Sequence, residues 1–239
     1  MRRGGVVHAE VMDRLEQVLR PGITTGELDR IARETMESRG ATPSFLGYRG
    51  FTGSICASPN EVIVHGIPGD ITISDGDIIS IDVGVYLDGF HVDSAWTFPV
   101  GEVTAEAAEL LKVTEGALDA AVAQCRPGAR LGDVGHAVEQ TAQGAGFSIV
   151  REYVGHGVGR SLHEEPQIPN YGPPGRREVL APGMTLAIEP MVNAGGAATR
   201  ALSDGWTVVT ADGSLSAHFE HTVAITPDGH EVLTSRDPR

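Results

Sequence analysis

Three acidic residues of this chain lie within largely apolar runs, where a charged side chain is costly to bury. The runs around Asp82, Glu189 and Glu220 are typical of covered β-strands, so we expect these carboxylates to be buried. A buried carboxylate needs a bound proton or a nearby cation to offset the loss of its hydration. Asp93 and His156 add a fourth acid and a nitrogen ligand. We therefore predict one cation-binding site built from these five side chains.

The first two acids can be related to each other by strand register. Asp88-Gly89 is a strong signal for a two-residue hairpin between two β-rich runs. In that register Asp82 faces Ala95, which makes Asp93 its diagonal neighbour on the same sheet face. An isolated Asp on a hairpin is more often solvated on an open face. The apolar frame favours convergence of the two carboxylates instead.

The five side chains suit a pair of metal ions. Four carboxylates formally neutralise two divalent cations, and His156 supplies one imidazole. Such a donor set suits manganese, iron, cobalt, nickel or zinc, and the sequence does not select among them. Two metals about 3.5 to 4 Å apart can activate a shared water and polarise a carbonyl, which predicts hydrolytic chemistry.

Other catalytic motifs are incomplete or absent in this sequence. Residues 163–167 (HEEPQ) lack the second histidine of a zinc-protease helix and contain a proline. The glycine-rich segment 155–159 precedes no convincing helix, so it is a poor phosphate loop. No Gly-x-Ser-x-Gly element is present, and Cys56 and Cys125 are typical of small buried hydrophobic residues.

The chain contains an internal repeat. Residues 20–27 recur as 126–133, and residues 76–82 recur as 183–189, which makes Asp82 and Glu189 equivalent. A weaker echo aligns 61–66 with 152–157 and pairs His65 with His156. We expect ligands from the two halves to meet at their junction.

Each half opens with helical patterns and continues with β-rich runs separated by Gly and Pro. We expect an α+β fold with pseudo-twofold halves, about 1–103 and 104–239, whose antiparallel sheets are covered by helices in one domain, 1–239. The helical patterns span roughly 5–19, 25–38, 104–124 and 131–143.

Composition restricts the function classes. A net charge of -14 disfavours a general nucleic-acid or anionic-membrane binder. Two cysteines give no disulfide framework, and no apolar run approaches the roughly 18 residues needed to span a bilayer. A cytoplasmic setting is the resulting prediction.

Six short segments resemble one enzyme family in their order and spacing. They are 81–83 (IDV), 89–93 (GFHVD), 155–159 (GHGVG), 163–166 (HEEP), 188–191 (IEPM) and 219–222 (FEHT). Together they resemble the type I methionine aminopeptidases over about residues 2–233. The resemblance implies the pita-bread fold and removal of initiator methionine from proteins and peptides whose second residue is small.

The resemblance also implies roles for single residues. Asp82 would be a terminal ligand of one metal, His156 and Glu189 terminal ligands of the other, and Asp93 and Glu220 the bridges. The implied catalytic residues are Glu189 together with His65, near the scissile nitrogen, and His163, near the carbonyl oxygen. The implied methionine pocket contains Tyr48, Phe51, Cys56, Leu162 and Trp206. The implied backbone ligands of a sodium or potassium ion are Asn60, Val62 and Ser216.

The implied partners are nascent polypeptide N-termini and, transiently, the ribosomal tunnel exit, with the protein acting as a monomer. The chain starts later than is usual for the family, inside the family's first helix, which implies that the lead-in segment is either truncated or dispensable. One alternative is an X-Pro aminopeptidase or creatinase-like hydrolase, which usually carries an additional N-terminal domain. The other is a non-catalytic binding protein of the same fold, which typically loses metal ligands that are all present here.

Overall fold

The structure, a computed structural model, describes residues 1–236. Two helix pairs open the two halves of the chain, close to the predicted bounds. The first helix begins earlier than predicted. Over the described residues, no helix has both the length and the apolar character needed to cross a membrane. The helices are α1 (Arg2–Val18), α2 (Thr25–Ser38), α3 (Ala105–Val122) and α4 (Leu131–Gly144).

The second helix of each pair begins in the same way. The Glu27 side chain accepts a hydrogen bond from Thr24 N at 3.0 Å, and the Asp133 side chain accepts one from Arg130 N at 2.8 Å. Each acid thus satisfies a backbone donor at its helix start and favours the positive end of the helix dipole. Gly40, with φ of 70°, follows the end of α2.

The repeat is also visible in the backbone hydrogen bonds that precede these helices. Gly22 N donates to Ile73 O at 2.8 Å, and Gly128 N donates to Leu180 O at 2.9 Å. Both halves therefore tie the start of the second helix to a later extended segment through equivalent bonds.

The strands of the first half form an antiparallel sheet in the order β1-β4-β2, with β5 also paired to β4. Helices α1 and α2 pack on this sheet over an apolar core that includes Leu15, Leu28 and Ile81. The strands are β1 (Thr42–Pro43), β2 (Cys56–Pro59), β3 (Val62–Val64), β4 (Ile78–Leu87) and β5 (Phe90–Pro99).

The second half supplies a five-stranded sheet, β15-β14-β9-β7-β8, and a small sheet, β13-β10-β6. Strand β3 of the first half pairs with β12 in a fourth sheet, β11-β12-β3, which therefore contains strands of both halves. The second core lies under α3 and α4. The strands are β6 (Ser148–Ile149), β7 (Gly155–Gly157), β8 (Glu164–Ile168), β9 (Thr185–Ile188), β10 (Met191–Asn193), β11 (Thr199–Ala201), β12 (Val208–Thr210), β13 (Ser216–His218), β14 (His221–Thr226) and β15 (Gly229–Val232).

Strand pairing contradicts the weaker repeat alignment, that of residues 61–66 with 152–157. Ser80 and Ala187 are equivalent in the repeat, Ser58 pairs with Ser80, and His156 pairs with Ala187. His156 therefore corresponds to Ser58, and its alignment with His65 was wrong. The short Val/His/Gly pattern was too brief to define a register.

Close backbone packing at α4 gives a stability prediction. A Cβ atom on Gly132 would lie 2.6 Å from Pro173 O and 2.9 Å from Arg176 O, so backbone atoms would have to move. We expect Gly132→Ala to lower the free energy of unfolding by about 1–3 kcal/mol, measured by urea denaturation.

Gly116→Ala is the matched control, because a Cβ atom inside α3 at that position meets nothing within 4 Å. We expect it to be neutral or to stabilise by up to about 1 kcal/mol. Equal effects of the two substitutions would contradict the packing described at α4.

Candidate metal centre and adjoining pocket

The β4–β5 hairpin brings Asp82 and Asp93 to one face. The turn residues Asp88 and Gly89 have φ of 53° and 83°, as a two-residue turn with two left-handed positions requires. Asp82 pairs with Ala95, which leaves Asp93 on the diagonal. The register predicted from sequence is confirmed.

The second half places the other three side chains against this hairpin. His156 lies in β7, Glu189 directly follows β9, and Glu220 lies between β13 and β14. Glu220 N donates to Ala95 O at 2.8 Å, so its backbone is bonded to the strand that carries Asp93. The junction of the halves therefore lies at these acids.

Side-chain hydroxyls complete this junction. The Thr222 hydroxyl accepts a hydrogen bond from Asp93 N at 2.9 Å and lies 2.7 Å from Asp93 O, to which it donates. The Ser94 hydroxyl donates to Glu220 O. The Thr97 hydroxyl accepts from His218 N at 2.9 Å. These contacts fix the backbones of Asp93 and Glu220 relative to each other.

The ligand atoms are close enough to share ions. One possible ligand atom from each of Asp93, His156 and Glu220 lies within 4.8 Å of the other two. His156 Nε2 lies 3.6 Å from Glu189 Oε1, and the same cavity is lined by Asp82. The structure thus brings together all five predicted ligands.

Without a bound cation, the clustering of these acids is electrostatically unfavourable. Burial and the neighbouring carboxylates raise the pKa of Asp82, Glu189 and Glu220 well above their ordinary values, and burial raises the pKa of Asp93 to about 7. One buried oxygen on each of Asp82, Asp93 and Glu220 has no hydrogen-bond partner. Unpartnered anionic oxygens beside a nitrogen donor fit divalent cations, which would offset both costs.

His156 has the properties of a neutral ligand. Its Nδ1 lies 2.8 Å from Gly157 O, so a proton on Nδ1 would leave Nε2 unprotonated and turned toward Glu189. Burial lowers the pKa of His156 and thereby favours this neutral form. His218 Nε2 lies 3.7 Å from Glu189 Oε2, beyond hydrogen-bonding distance.

Burial differs among the acids. Glu220 is buried as predicted and Asp93 is also buried, whereas Asp82 and Glu189 are partly exposed. The expectation that all three acids in apolar runs are buried was therefore wrong for these two. Their strands are covered, but both side chains line the cavity.

An apolar pocket adjoins the acids. The cavity has a volume of about 180 Å³, and Phe51 contacts Trp206 edge-to-face with ring centroids 5.1 Å apart. All five residues predicted for the pocket line it. Sequence reasoning missed Phe45, which packs on Phe51, and Arg49 at the cavity surface. The pocket lining includes Tyr48, Phe51, Cys56, Leu162 and Trp206.

The two histidines predicted to act on substrate also line this cavity. The ring of His163 lies 4.1 Å from that of His156, and His65 lies 6.0 Å from Trp206, between centroids. Burial lowers the pKa of His65 to about 4 and that of His163 to about 3, so both are neutral near pH 7. Tyr153, whose ring lies 5.9 Å from His65, was missed because no local pattern links them.

The predicted monovalent-cation residues lie elsewhere. Asn60 O accepts a hydrogen bond from Ser216 N at 2.9 Å, and Val62 opens β3 nearby in sequence. None of the three lines the cavity that contains the acids. Their role as backbone ligands stays a prediction.

The chain is similar in sequence to known metallopeptidases. The profile of metallopeptidase family M24 matches residues 1–227. Methionine aminopeptidase 1 of Bacillus subtilis (strain 168) is 54% identical over 98% of this chain and 94% of that protein. The chain belongs to the methionine aminopeptidases of metallopeptidase family M24. The resemblance stated from sequence and the enzyme class are confirmed.

Solved structures confirm the pita-bread fold. Methionine aminopeptidase from Thermotoga maritima has a TM-score of 0.97 and 45% identity, covering 98% of this chain and 95% of that one. Prolidase from Pyrococcus furiosus has a TM-score of 0.80 at 22% identity, covering 100% of this chain and 63% of that one. The likeness to prolidase shows the shared fold alone.

The Thr222 hydroxyl gives a prediction about site integrity. Thr222→Val keeps the shape but leaves the buried N–H and C=O of Asp93 without this partner. We expect a loss of about 1–3 kcal/mol in the free energy of unfolding and weaker cobalt binding by calorimetry. Thr226→Val, at the end of β14, is the control and should change stability by no more than about 0.5 kcal/mol. Unaltered metal affinity in Thr222→Val would contradict the positioning described.

The raised pKa of Asp93 predicts a pH dependence for chelator-treated protein. The unfolded carboxyl ionises near its ordinary value of 3.8, whereas the folded pKa is about 7. The stabilisation is complete below the unfolded pKa and is lost as the pH rises toward the folded pKa. Urea denaturation between pH 4 and 8 should therefore show a smaller loss of stability for Asp93→Asn than for wild type. The same pH dependence of the free energy of unfolding in wild type and Asp93→Asn would refute this effect.

Proposed function

We propose that the chain hydrolytically removes N-terminal methionine from proteins and peptides, with two divalent metal ions and a preference for a small second residue. The observation that carries this proposal is one cavity lined by four acids and His156 on one side and by an aromatic pocket on the other. The preference for a small second residue rests on the resemblance to methionine aminopeptidases.

The residues present fit a two-metal site. Asp82 would hold one metal, His156 and Glu189 the other, and Asp93 and Glu220 both, which balances four negative charges against two divalent ions. When bound, such ions supply Lewis-acid activation of water and of the scissile carbonyl. Cobalt, manganese, iron, zinc and nickel all suit the donor set.

Three residues act on the reacting groups in this proposal. Glu189, which lines the cavity beside the other acids, accepts a proton as water attacks. Neutral His163 donates a hydrogen bond from its ring N–H to the carbonyl oxygen as negative charge develops there. Neutral His65 lies on the same cavity and contacts the scissile nitrogen.

The aromatic pocket suits a thioether side chain. Phe51, Cys56, Leu162 and Trp206 provide apolar and polarisable surfaces, and a methionine sulfur gains from contact with aromatic rings. The adjacent acids would meet the substrate ammonium group while the side chain enters the pocket.

The cellular setting follows from the proposed reaction. We propose that the chain acts in the cytoplasm, as a monomer, on nascent polypeptide N-termini, with transient contact at the ribosomal tunnel exit. A monovalent cation at the carbonyl groups of Asn60, Val62 and Ser216 belongs to the same proposal.

Substrate turnover tests the proposed function directly. Purified protein should be assayed anaerobically with each candidate metal on Met-Ala-Ser, Ala-Pro-Ala and creatine. We expect release of methionine from Met-Ala-Ser and no turnover of the other two. Cleavage confined to the proline peptide would instead support an X-Pro aminopeptidase.

His163 offers a sharper test of the assigned chemistry. We expect His163→Ala to lower kcat on Met-Ala-Ser by about 10²–10³ with little change in KM, because the donor is needed mainly as charge develops. His136→Ala, on α4 and away from the cavity, is the control and should keep the wild-type kcat. A normal kcat in His163→Ala would remove this role.

A further inference from the structure

Arg49 is a cation at a cavity dominated by acids. Among the described residues that line this cavity, it is the only lysine or arginine, and four of the others are carboxylates. Its residue surface is exposed, which places it at the mouth of the cavity. Neither the two-metal site nor the methionine pocket uses its charge.

The Arg49 guanidinium has no ion pair or side-chain hydrogen bond within residues 1–236. It lies 5.3 Å from the centroid of the Tyr48 ring, which stacks on His163 at 5.2 Å. His163 in turn lies 4.1 Å from His156. A row of ring contacts thus runs from the candidate metal centre to a surface cation that has no ion pair among the described residues.

The backbone holds Arg49 in this place. Arg49 has φ of 49°, a left-handed conformation that is uncommon for a residue with a side chain. Gly47 N donates to Phe51 O at 2.8 Å and closes the turn around it. Phe45 and Phe51 are buried at either end of the loop. The loop therefore presents the guanidinium from a hydrogen-bonded, anchored turn.

We propose that Arg49 binds a carboxylate side chain of the substrate downstream of its second residue. This inference rests on the proposed function, because a peptide whose ammonium group meets the buried acids must leave the cavity past its mouth. Arginine stays charged at all working pH values and binds carboxylates through paired N–H donors. The preferred substrates are methionyl peptides with Asp or Glu beyond the second residue, and peptides with Lys or Arg there are disfavoured.

The test compares peptides within one protein variant, so that changes in overall activity cancel. Met-Ala-Ser peptides are extended to six residues, with Glu or Lys placed in turn at positions three, four and five. For wild type we expect kcat/KM to favour Glu over Lys by roughly three-fold to ten-fold at one or more positions at low ionic strength. The ratio should fall toward one in high salt.

Three variants complete the test. Arg49→Gln should reduce the Glu-to-Lys ratio to about one, and Arg49→Lys should keep part of it, because the charge remains. Arg14→Gln removes an exposed arginine of α1 that does not line the cavity and should keep the wild-type ratio.

The outcomes separate the two proposals. Cleavage of all methionyl peptides by wild type with a ratio near one would overturn the inference and leave the proposed function intact. An equal ratio in wild type and Arg49→Gln would also overturn it, because the preference would then come from elsewhere. Failure to cleave any methionyl peptide with any metal would overturn the proposed function, and this inference with it.

Discussion

The close approach of four carboxyl groups at the junction of two halves is the constraint on which the rest of the structure depends. Asp82 and Asp93 come from one hairpin, and Glu189 and Glu220 come from the other half. Their mutual repulsion and lost hydration would separate them unless the fold held them in place. Much of the local structure serves that purpose. Thr222, Ser94 and Thr97 each bond backbone groups across the junction. Because hydroxyls donate and accept, they join strands whose own backbones do not form a continuous ladder there.

The internal repeat explains the scaffold better than it explains the site. Equivalent bonds at Gly22 and Gly128 and equivalent acids at helix starts show two copies of one architecture. Asp82 and Glu189 occupy equivalent positions, but His156 occupies the position of Ser58. The asymmetry gives one side of the site an imidazole and leaves the other side all-carboxylate. The apolar pocket is likewise built mainly from one loop region of the first half, together with Leu162 and Trp206.

Local chemistry made much of this fold predictable. Asp88-Gly89 determined a hairpin register, because this signal acts over a few residues. The five ligand candidates were accessible for the same reason, since each is a charged or imidazole group in a conspicuous local frame. Contacts between distant segments were not predictable in this way. The packing of Tyr153 on His65, the approach of His218 to Glu189 and the exposure of Asp82 to the cavity depend on tertiary placement.

We propose that this junction holds two metal ions between the halves. The most direct measurement is a crystal structure of the cobalt-loaded protein, with anomalous diffraction recorded on both sides of the cobalt absorption edge. We expect two anomalous peaks about 3.5 to 4 Å apart, both contacted by Asp93 and Glu220. A single peak, or peaks that contact only the acids of one half, would contradict it.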